Sequence, residues 1–512
     1  MEKNSKKWLL GSAVTLFCLS LLNKGLGFIK SMVIASAFGA TLQTDAYYVA
    51  DGLLQNMLIP ISEAVAVSFL PFYIGIKEIS QEDSKAFASR TITDIFAVAF
   101  GLSICLYVAA PLFLRILLPT YTAEEVRLST TYFRILVWGM CLYMSNHLLQ
   151  SLLNAEKEYG YSSFAAMLNN MILAAVVFFL GKRYGLKAMA GAVLFSYVVQ
   201  YLFLQMKSRR YGRLTFRYGF RDRRILKLFG QAFPIFFGNA IYELNSLVDR
   251  TLLSAMNAGA VTAVSYAAVL YQFASNLIGI PLTTIIYTEL AESFAEGRME
   301  EGGAKLEKGL HIGLLFGIPI TLFVMISAEL IVQITYGRGA FSAKAVAMTA
   351  QGLRYYGLCF MAYCTHSLLS RACYSLKDTI LPMKIGIGTV GLNLILSIIL
   401  SKFMGLRGVV LATAIADSLA SVLLLFVFHR TKISLHLRRF RKPVCRIGFS
   451  AVTATAVCAL WLHLDPISNG FLFFVSAACL EFGIYAGLML LCRDELAMEI
   501  ISVMRTVWKK DR

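Results

Sequence analysis

Charged residues are scarce in this sequence. Only 15% of the 512 residues are Asp, Glu, Lys or Arg, whereas 58% are hydrophobic and the mean hydropathy is +0.66. A soluble chain carries about 25% charged residues. The deficit excludes a large soluble protein, because apolar runs such as "ILAAVVFFLGK" and "VGLNLILSIILS" recur along the chain. Many runs approach the roughly 20 residues that cross a bilayer. The composition therefore predicts an all-α polytopic membrane protein.

Catalytic and metal-binding motifs are also missing. The sequence has no HExxH, GxSxG, Walker A or DxD motif, its six histidines are scattered, and its ten cysteines stand singly. These absences argue against an enzyme, a metal or organic cofactor, and direct use of ATP. The net charge of +18 would suggest nucleic acid in a soluble protein. Here the basic residues lie mainly in short connections between apolar segments. The expected partner of these residues is therefore the phospholipid bilayer and not nucleic acid.

The hydropathy pattern predicts about fourteen transmembrane helices. They are placed near residues 9–37, 45–75, 87–117, 126–155, 160–181, 186–206, 226–256, 261–293, 307–335, 344–374, 379–401, 406–428, 445–463 and 468–491. The basic connections set the orientation: residues 207–227 carry nine Lys or Arg and residues 430–446 carry seven. By the positive-inside rule both connections, and both termini, are expected on the cytoplasmic side of the membrane.

An internal repeat with a nearly constant offset between its copies divides the chain. "YGLKAMAGAV" (184–193) matches "MGLRGVVLAT" (404–413), and "LQSLLNAEKEYG" (149–160) lies opposite "HSLLSRACYSLKD" (366–378). The predicted plan is a six-helix lobe over 1–220, a parallel six-helix lobe over 221–440, and two further helices with a tail over 441–512. Transporters built from such repeats bind their substrate between the halves and open to alternate sides.

Ionisable residues within the predicted spans are the candidate site, because charges at membrane depth are costly unless they face a wet cavity or a partner. The candidates for substrate binding are Lys24, Lys30, Asp45, Asp51, Glu63, Asp249, Arg250 and Gln272. Lys24 has about 15 apolar residues before it. A bend at Gly25–Gly27 would turn both lysines toward one cavity. Two readings stay open: the lysines bind an anionic headgroup such as a phosphate or pyrophosphate, or they form internal salt bridges to acidic neighbours. Asp45 follows Thr44 where the second helix is predicted to begin, so capping of that helix is a further alternative.

Three stretches resemble the MurJ (MviN) family of the multidrug/oligosaccharidyl-lipid/polysaccharide (MOP) exporter superfamily. They are "GLGFIKSMVIASAFGATLQTDAYYVA", residues 248–292, and above all residues 335–386 with "GRGAF", "LRYY" and "LLSRACYSLKDT". The resemblance implies a flippase for undecaprenyl-pyrophosphate-linked lipid II, with a cationic cavity between its lobes. It also implies a hydrophobic groove on the last two helices for the prenyl tail, and transport driven by an ion gradient or membrane potential. The expected location is the bacterial cytoplasmic membrane, with a role in peptidoglycan synthesis and cell shape, and cell-wall synthesis proteins as further partners.

This sequence departs from the family pattern at several positions. Lys24 and Lys30 stand where the family has arginines, whereas Asp45 matches the family's aspartate. The second helix lacks the family's arginine. In the eighth helix "YAAVLYQ" replaces "YADRLxE", so that Val269 and Gln272 stand for the arginine and glutamate. The chain is thus identified as a divergent member whose headgroup site is incomplete by the family's standard.

Four functions compete at this point. The first is a flippase for lipid II or another lipid-linked glycan, and the second is a small-molecule or drug antiporter of the same superfamily. The third is a membrane glycosyltransferase or polymerase, against which the short loops argue. The fourth is a degenerate paralogue that does not transport, which the missing arginine and glutamate keep open.

Overall fold

The computed structural model of the chain describes residues 2–215, 217–433, 435–464 and 469–499. Within these residues all regular secondary structure is helical. This confirms the predicted all-α class. In chain order the helices are α1 (Glu2–Phe38), α2 (Leu42–Ile79), α3 (Gln81–Leu117), α4 (Ala123–Leu136), α5 (Gly139–Ala155), α6 (Tyr159–Ser208), α7 (Arg223–Ser254), α8 (Ala260–Ala295), α9 (Met299–Tyr336), α10 (Ala343–Ser375), α11 (Ile380–Met404), α12 (Leu406–Thr431), α13 (Leu437–Leu464) and α14 (Gly470–Leu491). Most of the predicted C-terminal tail lies outside the described residues.

The predicted number of fourteen spans is not confirmed. Within the described ranges, nine helices are long and apolar enough to cross a membrane. The predicted helix at 126–155 is wrong as a single element, because α4 ends at Leu136 and α5 starts at Gly139. At this break the Val137 carbonyl accepts a hydrogen bond from the Ser103 hydroxyl at 3.0 Å. The predicted helices at 160–181 and 186–206 are the two arms of α6, which meet at Gly185 in a non-helical conformation.

Six of the nine described residues with positive φ form three pairs at a constant offset of 220 residues. Positive φ angles occur at Gly39 and Gly259, at Lys157 and Lys377, and at Gly185 and Gly405. The lysine pair is the most telling, because a residue with a side chain seldom adopts this left-handed conformation. Both halves of the chain therefore turn at equivalent points, as the predicted duplication requires. The predicted boundaries at residues 220 and 440 follow that duplication and stay a prediction.

Packing divides the chain into two units. The first comprises residues 1–265 together with 338–342, and so contains α1–α7 and the start of α8. Helix α2 lies at its centre, where it contacts α3, α4, α5 and α7, while α1 packs along α6. Helix α2 therefore presents its polar side chains to several neighbours at once, which makes it the natural scaffold for a site.

The second unit comprises residues 266–337 and 343–512. Here α9 packs against α10, and α12 packs against both α10 and α11. Helices α13 and α14 contact each other and α9, where the Tyr485 hydroxyl donates to the Leu315 carbonyl at 2.8 Å. Buried Ile447, Ala451 and Met489 complete that contact. The two C-terminal helices are thus packed into the second unit through α9.

Two glycines fasten residues 338–342 to the turn between α1 and α2. Gly39 and Gly339 both have positive φ, and Ala340 N donates to the Ser36 carbonyl at 2.8 Å. A Cβ at Gly39 would overlap the Ala340 carbonyl oxygen, and one at Gly339 would overlap that of Ser36. The sequence "GRGAF" therefore supplies a close backbone contact that only glycine permits.

Gly339→Ala is expected to destabilise the protein. The left-handed backbone costs an alanine roughly 1–3 kcal/mol, and the overlap with Ser36 adds to this cost. The melting temperature of the detergent-solubilised protein should fall. Gly25→Ala is the control, because Gly25 lies within α1 with nothing within 4 Å of an added Cβ. An equal melting temperature for the two variants would contradict the glycine requirement at residue 339.

Candidate functional site

The two lysines of α1 lie in different surroundings. Helix α1 is continuous through Gly25 and Gly27, and Lys24 and Lys30 are separated by about 9 Å along its axis. Lys24 is exposed, and among the described residues no carboxylate forms an ion pair with it within 4 Å. Lys30 is half-buried and lies within electrostatic reach of Asp51. One ammonium is thus available to a ligand, and the other faces an acidic group.

Asp51 of α2 lies within electrostatic reach of two basic side chains. The charges of Arg250 and Lys30 both act on its carboxyl group, and Gln55 forms a hydrogen bond with it. Gln55 Nε2 also donates to the Tyr197 hydroxyl at 3.3 Å, which ties this group to α6. We call Lys30, Asp51 and Arg250 the cationic cluster. It contains more basic than acidic groups, and α1, α2 and α7 each contribute one residue.

A glycine makes room for Arg250. The guanidinium lies against Gly52, where an added Cβ would overlap it, and Nη1 donates to the Tyr48 carbonyl at 2.7 Å. Tyr48 and Gly52 are four residues apart and so lie on one face of α2. The second helix, which carries no arginine of its own at this level, thus receives a guanidinium from α7.

Further polar pairs follow the same contact between α2 and α7. Asn56 is oriented with its amide nitrogen toward Glu243 and Gly52. In this orientation it donates to Glu243 Oε2 at 2.9 Å and to the Gly52 carbonyl at 3.1 Å. Beyond it, Asn239 Nδ2 donates to Glu63 Oε2 at 3.3 Å. Glu63 is therefore paired at this contact and does not form an ion pair with a lysine of α1 within the described ranges.

Sequence reasoning missed the amide side chains of this site. Gln55, Asn56 and Asn239 were not predicted, although Asp51 and Gln55, and likewise Gly52 and Asn56, are four residues apart. Polar residues at this spacing share a helical face. The spacing in "ADGLLQN" was thus the available signal.

Asp45 caps a helix other than its own. Its Oδ2 accepts from Gly259 N at 2.5 Å, and its Oδ1 accepts from Thr262 N at 2.8 Å and from the Thr262 hydroxyl at 2.6 Å. These groups form the first turn of α8, whose amides lack partners within the helix. Capping of its own helix is wrong for Asp45, because α2 begins at Leu42 with Thr41 as its cap and Thr44 completing a capping box.

Asp249 and Gln272 are the remaining candidates. Asp249 precedes Arg250 on α7 and is half-buried. Gln272 is exposed on the part of α8 that belongs to the second unit. Its neighbour Tyr271 stacks on Tyr356 with ring centroids 5.4 Å apart. The structure thus brings Lys30, Asp51 and Arg250 together, and substrate contact by any of the eight candidates stays a prediction.

Two acidic groups outside the membrane-spanning segments have lowered pKa values. Hydrogen bonds from Arg224 lower the pKa of Asp222, which caps α7. A hydrogen bond from Lys432, whose Nζ lies 2.6 Å from Oδ2, lowers the pKa of Asp378. Asp378 also accepts from the first amides of α11, at Ile380 and Leu381. Both carboxylates therefore anchor helix ends at basic connections.

The second unit contains an apolar cavity of about 250 Å³. Residues of α9, α10, α12 and the start of α13 line it, among them Leu310, Leu314, Met361, Val422, Leu425 and Val444. Only the hydroxyls of Thr365, Ser418 and Ser421 interrupt this lining. Such a surface suits a hydrocarbon chain.

Comparison with known proteins gives one consistent family. The family model described as "Lipid II flippase MurJ" matches residues 34–479. The "Probable lipid II flippase MurJ" of Buchnera aphidicola is 23% identical over 491 residues, covering 93% of this chain and 95% of its own. The "Lipid II flippase MurJ" of Burkholderia cenocepacia is 24% identical over 424 residues, covering 80% and 82%.

Solved structures agree on the fold. A structure titled "Lipid II flippase MurJ, inward closed conformation" superposes with a TM-score of 0.82 at 21% identity, covering 94% of this chain and 100% of its own. An inward-facing multidrug resistance MATE transporter of the MOP superfamily gives 0.69 at 15% identity, covering 81% and 94%. Because the family model covers most of the chain, this multi-pass membrane protein belongs to the family described as the lipid II flippase MurJ.

Proposed function

We propose that this protein transfers a polyprenyl-pyrophosphate-linked glycan, in the first instance lipid II, across the bacterial cytoplasmic membrane by alternating access. One structural observation carries the proposal: α1, α2 and α7 bring the basic side chains of Lys30 and Arg250 to one acidic partner inside the first unit. Membership in a flippase family supports transport rather than catalysis.

The cationic cluster has the chemistry that an anionic headgroup needs. A pyrophosphate carries several acceptor oxygens, and a guanidinium or an ammonium donates charge-assisted hydrogen bonds to them. The negative charge of Asp51 offsets part of the charge of the two basic groups while no substrate is bound, which reduces the cost of charge at membrane depth. Lys24 is exposed about two turns away on α1 and about 120° around the helix from Lys30, so we propose that it contacts a different part of the headgroup.

The cationic cluster also bears on one departure from the family pattern, the loss of a basic residue. Val269 and Gln272 are neutral where the family has an arginine and a glutamate. Arg250, seated on α2 at Gly52, supplies a guanidinium in the first unit. Since the arrangement differs from the family's, a related lipid-linked glycan is the alternative cargo. A drug antiporter gains support from the shared MATE fold alone.

The apolar cavity of the second unit is a separate candidate site for hydrocarbon. We propose that a lipid chain binds among Leu310, Leu314, Met361, Val422 and Val444. We further propose cytoplasmic termini, coupling to an ion gradient or the membrane potential, and contact with cell-wall synthesis proteins.

Complementation tests the proposed function. A host depleted of its own lipid II flippase should resume incorporation of labelled cell-wall precursor when it expresses this protein. Lys24→Ala with Lys30→Ala should abolish that rescue, because the headgroup would lose two cations. Lys24→Arg with Lys30→Arg should retain it, because this variant keeps the charge and restores the residues found in the family.

Each outcome of the complementation decides between cargoes. Failure of the intact protein at normal expression would exclude lipid II. In that case, accumulation of another lipid-linked glycan in a deletion strain of the source organism would assign the alternative cargo. Rescue by the double alanine variant would exclude the two lysines from substrate binding.

A further inference from the structure

The connection between α6 and α7 forms a basic pocket on the first unit. It has a volume of about 660 Å³, and its lining includes the cations of Lys85, Lys207, Arg209, Arg210 and Arg213. One acid, Glu158, faces them, and it accepts a hydrogen bond from the Tyr211 hydroxyl at 3.4 Å. Within the described part of the chain, none of the five cations has a carboxylate within 4 Å. The pocket lining therefore carries a net positive charge, with five basic groups to one acidic group.

The backbone of the pocket is fixed by hydrogen bonds to α3 and α6. Arg213 N donates to the Ser89 hydroxyl at 3.2 Å, and Leu214 N donates to Gln205 Oε1 at 3.3 Å. Thr215 N donates to the Thr93 hydroxyl at 3.1 Å. A connection that served only to set membrane topology would need basic residues but no such anchoring. The anchoring holds the cations in a preformed arrangement.

Apolar and aromatic side chains border the pocket. Met206 lines the pocket and is 63% exposed, and Leu202, four residues before it on the same face of α6, is 61% exposed. Tyr161, from the other arm, packs on Phe203 and lies beneath the Lys207 ammonium, which is 4.6 Å from its ring centroid. Aromatic rings and basic residues at the end of a membrane-spanning hairpin mark the headgroup level. A ligand with phosphate at one end and hydrocarbon at the other fits this combination.

We propose that this pocket binds the phosphate headgroup of an anionic phospholipid, whose acyl chains lie along the exposed face of α6. The site is separate from the cationic cluster, and its occupant is a bilayer lipid rather than the transported one. Charge complementarity carries the inference, because anionic lipids attract basic side chains at the membrane surface by about 1 kcal/mol each. The apolar border favours a lipid over free phosphate.

Lipid binding to the full-length protein in neutral detergent tests this site. Native mass spectrometry would follow titration with phosphatidylglycerol, with phosphatidylcholine as the zwitterionic comparison. Lys207→Gln with Arg210→Gln should weaken phosphatidylglycerol binding roughly 30-fold, the loss expected for two interfacial cations. Lys207→Arg with Arg210→Lys should bind phosphatidylglycerol with the affinity of the unchanged protein. This charge-preserving variant is the control for misfolding.

A matched control lies at the other end of the same helical hairpin. Lys182→Gln with Arg183→Gln removes the same charge from exposed positions and should leave the affinity within a few-fold. An equal loss of affinity in both double variants would contradict a specific binding pocket and would indicate general electrostatic attraction to the protein surface instead. Full displacement of phosphatidylglycerol by millimolar inorganic phosphate would overturn the lipid as occupant. Neither result depends on the transported cargo, so failure here is distinguishable from failure of the flippase proposal.

Discussion

Arg250→Ala is expected to reduce transport roughly ten- to hundred-fold, since a hydrogen bond to a charged group contributes about 1.5–3 kcal/mol. The change removes the guanidinium that donates to the Tyr48 carbonyl and acts on Asp51. Lys30 would then be the one basic partner of Asp51 within the cluster. Arg250→Lys keeps the charge but loses the planar fork, so an intermediate rate is expected. Rescue of a flippase-depleted host, normalised to expression, measures the effect.

Gly52 offers an independent test of the same guanidinium. Gly52→Ala changes no charge, yet its Cβ would overlap the Arg250 side chain and force it away from α2. Transport should therefore fall nearly as far as in Arg250→Ala, and the double variant should be little worse than either single one.

The control for Gly52 lies on the same helix. Gly75 is also within α2, and nothing lies within 4 Å of a Cβ added there. Gly75→Ala should keep full transport and gain up to about 1 kcal/mol of helix stability. If Gly52→Ala transported as well as Gly75→Ala, transport would not require the guanidinium at its position on α2. Arg250 would then be excluded from the proposed headgroup site.

Hydropathy and spacing were enough to predict the fold class and the repeat. Long apolar runs leave few alternatives to membrane helices, and glycines such as Gly185 and Gly405 mark equivalent turns. The break between α4 and α5 was missed, because "ILVWGMCLY" is apolar throughout. At the break the Val137 carbonyl accepts a hydrogen bond from Ser103 on another helix, a contact that no local pattern reveals.

Single members of the site could be predicted, but their partners could not. Lys30, Asp51 and Arg250 are conspicuous as charges within apolar segments. That Arg250 lies on Gly52 depends on how α7 packs against α2, a helix far from it in sequence. A glycine in an apolar helix gives no sign of what fills the space beside it. The amides of Gln55 and Asn56 were overlooked for a related reason, since uncharged polar residues are less conspicuous than charges.

Asp45 shows how a local rule can select the wrong helix. An acidic residue next to a threonine at a helix start is typical of a cap. The threonines at 41 and 44 already cap α2, which leaves the Asp45 carboxylate to serve α8, a helix much later in the sequence. It is 6% exposed and accepts three hydrogen bonds there.

Asp45→Ala is therefore expected to destabilise the first unit by roughly 3 kcal/mol, the scale for removing one member of a buried hydrogen-bonded charge. Asp45→Asn retains one acceptor oxygen and should cost about half of that. Thr262→Val removes only the hydroxyl donor and should cost about 1 kcal/mol. The measurement is the melting temperature of the detergent-solubilised variants, followed by intrinsic fluorescence. Asp83→Asn, at an exposed position in the first turn of α3, is the control and should change stability by less than about 0.5 kcal/mol.

Transport by the Asp45 variants separates a structural role from a coupling role. If the carboxylate only caps α8, transport should decline in the same order as stability, from Thr262→Val through Asp45→Asn to Asp45→Ala. A carboxylate that exchanges a proton or a cation during the cycle would behave differently, because Asp45→Asn removes the exchangeable charge while keeping one acceptor oxygen of the cap. Loss of transport in Asp45→Asn at a melting temperature equal to that of Thr262→Val would therefore contradict the capping role and assign Asp45 to ion coupling.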